Sequence, residues 1–426
     1  MLQSKDSIVI TIVLSFLCLN IYSQNCSNTS TGRPPINDLG TGYWHGAQGG
    51  LYPNGLNTRP VAHNNGGLQM AAQILPLDTN GVYDPVNGKV VWLSVGMSNT
   101  TMETQVFIPL TDTFQNKNTK LVLIDGAQGG QDINIILDTN ANFWNVIVTR
   151  LRQRGLSTKQ VQAVWFKEAE ISPSDTSFPG YAMSLKNKFK TVMNILKNKY
   201  RNVKLCYISS RIYAGYATGA LNPEPYAYYS GWSVKWLIQD QINGDTNLIY
   251  TGNNPKSPWL SWGPYPWADG LVPRSDGLIW VCPGDYQPDG VHPSVQGRRK
   301  VANMLFQFFT TDQTTVSWFL QNPLGIKQIE SEVPEMFVLH QNYPNPFNPA
   351  TKIRFDIPSV GQRHAFDVLL NVYDVLGREV STIVNEQLNP GIYEVVWDAS
   401  NYPSGVYFYK LMTEDYISTK KMILNK

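Results

Sequence analysis

Five short apolar runs punctuate the first three quarters of the chain: Lys89-Val-Val-Trp-Leu-Ser-Val95, Leu121-Val-Leu-Ile124, Val161-Gln-Ala-Val-Trp-Phe166, Val203-Lys-Leu-Cys-Tyr-Ile208 and Leu278-Ile-Trp-Val281. They are of strand length, and their nearly continuous apolarity suits strands buried on both faces. Over residues 181–200, Met183, Leu185, Phe189, Val192, Met193, Leu196 and Tyr200 recur close to a 3.6-residue period, which predicts an amphipathic helix. Further helices are predicted over 142–154, 233–241 and 299–309. Strands alternating with helices imply a parallel sheet covered on both faces, a three-layer α/β/α domain. Residues 25–88 are rich in Gly, Asn and Pro with little periodicity and read as ordered loop over a core edge.

The period changes near the C-terminus. Alternating runs at 351–357, 365–373, 393–397, 406–412 and 418–423 are separated by Gly or Pro turns, the pattern of a small all-β sandwich of immunoglobulin-like kind. Before them, residues 321–335 carry Pro323, Pro334 and several acidic residues without apolar periodicity, as a linker does. At the other end Lys5 precedes an apolar run from Ile8 to Leu19 that is too short to span a bilayer, and polar Tyr22-Ser-Gln-Asn25 follows. The expected organisation is a signal peptide over 1–24, an α/β domain over 25–320, a linker over 321–340 and a sandwich over 341–426.

Composition narrows the function. Lys and Arg total 34 against 32 Asp and Glu, a net charge of +2, so neither nucleic acid nor anionic membrane is an expected partner. Only 15% of residues are charged while Trp (12) and Tyr (22) are plentiful, which suits a carbohydrate-facing protein. After signal removal Cys26, Cys206 and Cys282 remain, an odd number without CxxC spacing. A disulfide framework and a cysteine metal site are therefore not expected, although one pair, which the sequence does not choose, is compatible with the count. No phosphate-binding glycine loop is present, and no cofactor is expected.

Three blocks carry candidate chemistry, each just past a predicted strand, where an open α/β sheet binds its ligands. In Ser94-Val-Gly-Met-Ser98-Asn-Thr-Thr-Met-Glu103, Gly96 permits a sharp turn and sets Ser98 at a helix entrance, where backbone N–H groups face developing negative charge. Thr100 with Glu103 also reads as a capping box, which would account for much of the segment without catalysis. In Asp289-Gly-Val-His292-Pro-Ser-Val-Gln-Gly297, Asp289 and His292 lie one turn apart, so that the carboxylate holds one imidazole nitrogen while the other takes a serine proton. In Asp125-Gly-Ala-Gln-Gly-Gly130 the glycines let backbone approach a substrate, and the Gly126 N–H is the expected oxyanion donor beside that of Ser98.

Together these blocks resemble the SGNH, or GDSL-type, hydrolase superfamily over roughly residues 40–310. The resemblance implies a flavodoxin-like α/β/α fold and an esterase with Ser98 as nucleophile, His292 as base, Asp289 as its orienting partner, and Ser98 and Gly126 as oxyanion donors. Block one reads Gly-Met-Ser-Asn rather than Gly-Asp-Ser, and where the family places an oxyanion Asn this chain has Trp165-Phe-Lys-Glu-Ala-Glu170. Either the hole then has two donors, or Lys167 or Gln128 supplies the third. The expected activity is hydrolysis of carboxylic esters, with acetylated carbohydrate as substrate and no metal; the alternative is a non-catalytic carbohydrate-binding protein on the same fold. Trp259, Trp262, Tyr265 and Trp267, with Tyr213, Tyr216, Tyr226, Tyr228, Tyr229 and Trp232, fall in predicted loops beside the site, as stacking platforms or as anchors to the core.

The tail resembles the type A C-terminal sorting domain of the type IX (Por) secretion system, through Gln341-Asn-Tyr-Pro-Asn-Pro-Phe-Asn-Pro-Ala-Thr351, Val372-Tyr-Asp-Val-Leu-Gly-Arg-Glu-Val380, Ser404-Gly-Val-Tyr-Phe-Tyr409 and a terminal Lys-Lys-Met-Ile-Leu. This implies export across the outer membrane of a Gram-negative bacterium, with the secretion machinery as partner and no transmembrane helix in the mature chain.

Overall fold

The computed structural model describes residues 24–321, 327–330, 334–359, 366–399 and 402–426. The expected signal peptide, apart from Gln24, lies outside the described residues. Five parallel strands, β1 (Val90–Gly96), β2 (Leu121–Asp125), β3 (Val161–Lys167), β4 (Leu205–Ile208) and β5 (Trp259–Trp262), form one sheet in the order β2-β1-β3-β4-β5. The order reverses between β1 and β3, so the connections leaving their carboxyl ends diverge and open a crevice there.

Six longer helices cover the sheet: α1 (Val61–Ala71), α2 (Ser98–Asp112), α3 (Asn142–Gln153), α4 (Gly180–Lys199), α5 (Tyr226–Ile242) and α6 (Val295–Thr311). Successive strand residues point to opposite faces. Trp165 stacks on Trp92 on one face, where Phe107 of α2 and Phe309 of α6 close over Trp92. Phe166 turns to the other face and meets Phe189 of α4 edge to face. Every residue of β1 and β3 is buried, as their unbroken apolar runs require. Among the described residues, no helix is long and apolar enough to cross a membrane.

Two expectations for this domain are corrected. Leu278-Ile-Trp-Val281 is loop, and the fifth strand is Trp259-Leu-Ser-Trp262, whose aromatic ends had marked it as a stacking platform. Its four residues are buried, and indole N–H groups satisfy backbone carbonyls, Trp259 to His63 and Trp262 to Leu51. Residues 61–71, read as loop, are α1. The glycines that hid its periodicity serve packing: a Cβ on Gly67 would lie 2.4 Å from the Trp259 ring, so only glycine lets the helix approach β5.

His63 of α1 stacks on Trp259, and its Nε2 lies 2.8 Å from the Leu260 carbonyl. Burial lowers its pKa from 6.5 to about 4, against the opposing pull of the Leu260 carbonyl. The unfolded chain therefore takes up a proton below about pH 6.5 that the folded chain refuses until about pH 4. The His63 contribution is whole above pH 6.5 and falls by about 3 kcal/mol as pH drops through that window. Urea unfolding midpoints at pH 7.5 and 4.5 are expected to differ more for the wild type than for His63→Gln; equal differences would refute the assignment.

The C-terminal region comprises β6 (Lys327–Glu330), β7 (Val338–Leu339), β8 (Ala350–Ile357), β9 (Phe366–Tyr373), β10 (Glu379–Leu388), β11 (Gly391–Asp398), β12 (Gly405–Met412) and β13 (Ile417–Leu424). These form two antiparallel sheets, β6-β11-β8-β7 and β10-β9-β12-β13. Ile353, Phe355 and Val395 from one sheet and Leu370, Val372, Tyr409 and Leu411 from the other share a core separate from that of the α/β domain. Residues 327–330, expected as linker, pair instead with β11. A short polar edge strand carries little apolar signal, so its sequence could not announce it.

Candidate active site

Strand β1 ends in a turn that only glycine allows. A Cβ on Gly96 would fall 2.2 Å from the Lys167 carbonyl and 2.4 Å from Thr100 Oγ1. Met97 is extended, and α2 begins at Ser98, so the N–H groups of its first turn have no intrahelical partners. The capping box expected from Thr100 and Glu103 does not form: Thr100 Oγ1 donates to the Lys167 carbonyl (2.7 Å), and Glu103 is held by Lys167 Nζ at 2.6 and 2.8 Å. The segment is shaped by β3, not by its own cap.

The second block arrives on the loop before α6. Asp289 Oδ1 accepts the backbone N–H groups of Val291 and His292, each at 2.9 Å, and Oδ2 is hydrogen-bonded to His292 Nδ1. Burial by itself would raise the Asp289 pKa, but these three hydrogen bonds outweigh it and hold the carboxyl below its usual range, so it is ionised at neutral pH. His292 Nε2 lies 2.7 Å from Ser98 Oγ. With Nδ1 donating to Asp289, Nε2 is left as the nitrogen that accepts from serine. Ser98, His292 and Asp289 are thus in one hydrogen-bonded line, although 191 residues separate Ser98 from Asp289.

Three contacts fix this loop. Asn99 Nδ2 donates to the Val291 carbonyl (3.1 Å), Ser294 caps α6 by accepting from Gln296 and Gly297, and Gly290, at φ +68°, packs its Cα against the Tyr216 carbonyl. A fourth constraint is the one cysteine pair that the sequence left open. Cys26 and Cys282 form a disulfide, and Gln24 N donates to the Pro288 carbonyl at 2.7 Å, while Cys206 stays buried and unpaired. The count of three left this pair open because only the folded chain brings partners 256 residues apart together. Cys26→Ser is expected to cost about 2–4 kcal/mol in urea unfolding, with no further loss on adding reductant. A variant as stable as the oxidised wild type would show that the bond contributes nothing.

The oxyanion expectation is corrected as well. The Gly126 N–H points into the sheet and donates to Ser94 Oγ at 3.2 Å, because Gly126 directly continues β2 and keeps the strand's orientation. Gln128 spends its amide on the carbonyls of Gly126 (3.1 Å) and Phe143 (2.9 Å), and Lys167 is engaged by Glu103, so neither is a free donor. Later in the block, Gly130 lines the cavity beside the serine, and a Cβ on Gly129 would sit 3.8 Å from Ser98 Cβ; the Gly129 N–H makes no backbone hydrogen bond among the described residues. Which glycine of Gly126-Ala-Gln-Gly-Gly130 faces the site depends on where β2 stops, a boundary the sequence does not mark.

A cavity of about 170 Å³ adjoins the serine, lined by Met97, Ser98, Gly130, Arg211, Asn222 and His292 among others. The aromatic residues expected as platforms do not line it. Tyr213, Tyr216, Tyr228, Trp232, Trp259 and Trp267 are core residues, with Tyr228 and Trp232 inside α5. Among the described residues, no group of three His, Cys, Asp or Glu is placed to hold a metal.

Residues 341–425 match the family of secretion system C-terminal sorting domains. The tail is therefore a type IX (Por) sorting domain, which engages the secretion machinery and directs the protein to secretion or the cell surface. No curated protein matches the chain. Among solved structures, an engineered protein from the Northeast Structural Genomics Consortium aligns over 93% of this chain and 92% of its own at 12% identity and a TM-score of 0.19. A double mutant of the Cellulomonas fimi endo-β-1,4-mannanase aligns over 86% and 98% at 9% identity and a TM-score of 0.17. Scores this low establish no shared fold.

Proposed function

We propose that the α/β domain is a secreted serine esterase of the SGNH, or GDSL, type, with Ser98, His292 and Asp289 as its catalytic residues. The carrying observation is the 2.7 Å contact between Ser98 Oγ and His292 Nε2, with Asp289 behind the ring, at the carboxyl end of β1. Ser98 Oγ attacks the ester carbonyl while His292 Nε2 takes its proton, and ionised Asp289 stabilises the imidazolium. The N–H groups of Ser98 and Gly129 receive the oxyanion. Collapse of the tetrahedral intermediate expels the alkoxide, which recovers the proton from His292. Water then attacks the acyl-serine with His292 again as base, and the free acid leaves.

The size of the cavity favours a short acyl group such as acetyl over a fatty chain, and Arg211 and Asn222 in its wall favour a polar alcohol, as in an acetylated sugar. A fluorophosphonate probe is expected to label the wild-type protein at Ser98 and to leave Ser98→Ala unlabelled. Absence of labelling in the wild type would turn the reading to a carbohydrate-binding protein without catalysis.

A further inference from the structure

Arg211 follows β4 at its carboxyl end and stands in the wall of the cavity that holds Ser98 and His292. It is only 3% exposed, yet its Nε–H has no acceptor, and it makes no ion pair among the described residues. A buried guanidinium stays charged and pays a large desolvation cost unless an anion meets it. The carboxylates around it are spoken for. Both Glu103 oxygens accept from Lys167, Asp132 accepts from the N–H groups of Ile135 and Ile171, and Glu170 pairs with Lys188. Glu168 accepts one bond, from the Ala169 N–H, and its other oxygen is unsatisfied. Burial pushes its pKa well above the ordinary carboxylate value, toward the neutral form. No carboxylate of the cluster meets the guanidinium directly, so its hydrogen-bonding capacity is left unspent beside the cavity.

Beside it, Asn222 is fully buried and held at φ +49°, in the left-handed region that an asparagine adopts more readily than most residues. Its Nδ2 donates to the Glu170 carbonyl at 3.0 Å, and its Oδ1 has no donor. Arg211 and Asn222 thus both line one small space next to the serine, and each keeps a buried polar atom without a partner.

Resting on the esterase reading above, we propose that Arg211 binds a carboxylate borne by the substrate, with Asn222 Oδ1 accepting a hydroxyl beside it, so that the esterified alcohol is an acidic sugar. The planar guanidinium matches a carboxylate in two parallel hydrogen bonds, which a neutral sugar cannot offer.

The test uses the full chain carrying Ser98→Ala, so that binding is read without turnover, with D-galacturonate, D-galactose and D-galactose 6-sulfate as calorimetric probes. Galacturonate is expected to bind on the order of 10- to 100-fold more tightly than galactose. Arg211→Gln is expected to erase that preference while keeping or raising the thermal midpoint, because it removes a buried charge without a partner. Arg211→Lys keeps the charge but not the paired geometry, and is expected to retain only part of the preference. Equal affinity for galacturonate and galactose, a preference for the sulfate, or a preference that survives Arg211→Gln would each overturn the proposal. A fall in midpoint in both variants with an unchanged preference would make Arg211 structural and overturn it too. The fluorophosphonate result on the wild type stands apart from all of these, so failure of the esterase reading is separately visible.

Discussion

Ser98→Ala is expected to lower kcat/KM for an aryl acetate by about 10⁴-fold or more, leaving only what the N–H groups and binding alone supply. The magnitude follows from the way such a group of residues works as a unit. Without Oγ the acyl-enzyme cannot form, and His292 has no proton to take, so the histidine and the aspartate lose their use together. The structural cost is small, because the Ser98 side chain is half-exposed and its side-chain hydrogen bond is the one to His292. Steady-state kinetics with matched circular dichroism decides it. Activity within tenfold of wild type in a folded variant would remove Ser98 from the nucleophile role and leave the 2.7 Å contact as a packing feature.

Lys167→Met is expected to destabilise the α/β domain by about 3–5 kcal/mol, the largest effect foreseen on stability. Lys167 and Glu103 are both fully buried and meet through two hydrogen bonds, tying the end of β3 to α2 just beneath the serine turn. Burial pushes Glu103 up and Lys167 down, toward their neutral forms, and their mutual contact is the largest opposing influence on each. Removing the lysine leaves a buried carboxylate without its hydrogen-bonded counterion. Glu103→Leu should cost a similar amount, whereas the double variant Glu103→Leu with Lys167→Met should recover most of the loss, since two apolar residues of similar volume need no compensation. Urea unfolding of the four proteins measures the coupling directly. Single variants within about 1 kcal/mol of wild type, or losses that simply add, would show that the pair is dispensable.

Much of the architecture was legible because burial on both faces leaves a continuous apolar signature. The runs ending at Val95, Ile124, Phe166 and Ile208 are strands β1 to β4, each within two residues of its structural bounds. The fifth was misplaced because Trp259-Leu-Ser-Trp262 and Leu278-Ile-Trp-Val281 are equally apolar and equally short, and only sheet register separates them. Helix α1 was hidden for the opposite reason, since Gly66 and Gly67 depress local propensity while tertiary contact with Tyr250 and Trp259 selects them.

The chain by itself determined which residue types carry the candidate chemistry and on which side of the sheet they stand. A serine after the first strand and an aspartate–histidine pair one turn apart are local facts, and local spacing sets local geometry. The Pro-rich, alternating tail was equally self-contained, because a small sandwich is specified by its own turns. Tertiary structure alone decided what depends on residues far apart. It turned the Gly126 N–H to Ser94, paired Cys26 with Cys282, gave Lys167 to Glu103, and left Arg211 without an ion-pair partner among the described residues. Each of these outcomes is a competition for a buried hydrogen bond or charge, and the competitors meet only once the sheet has closed around them.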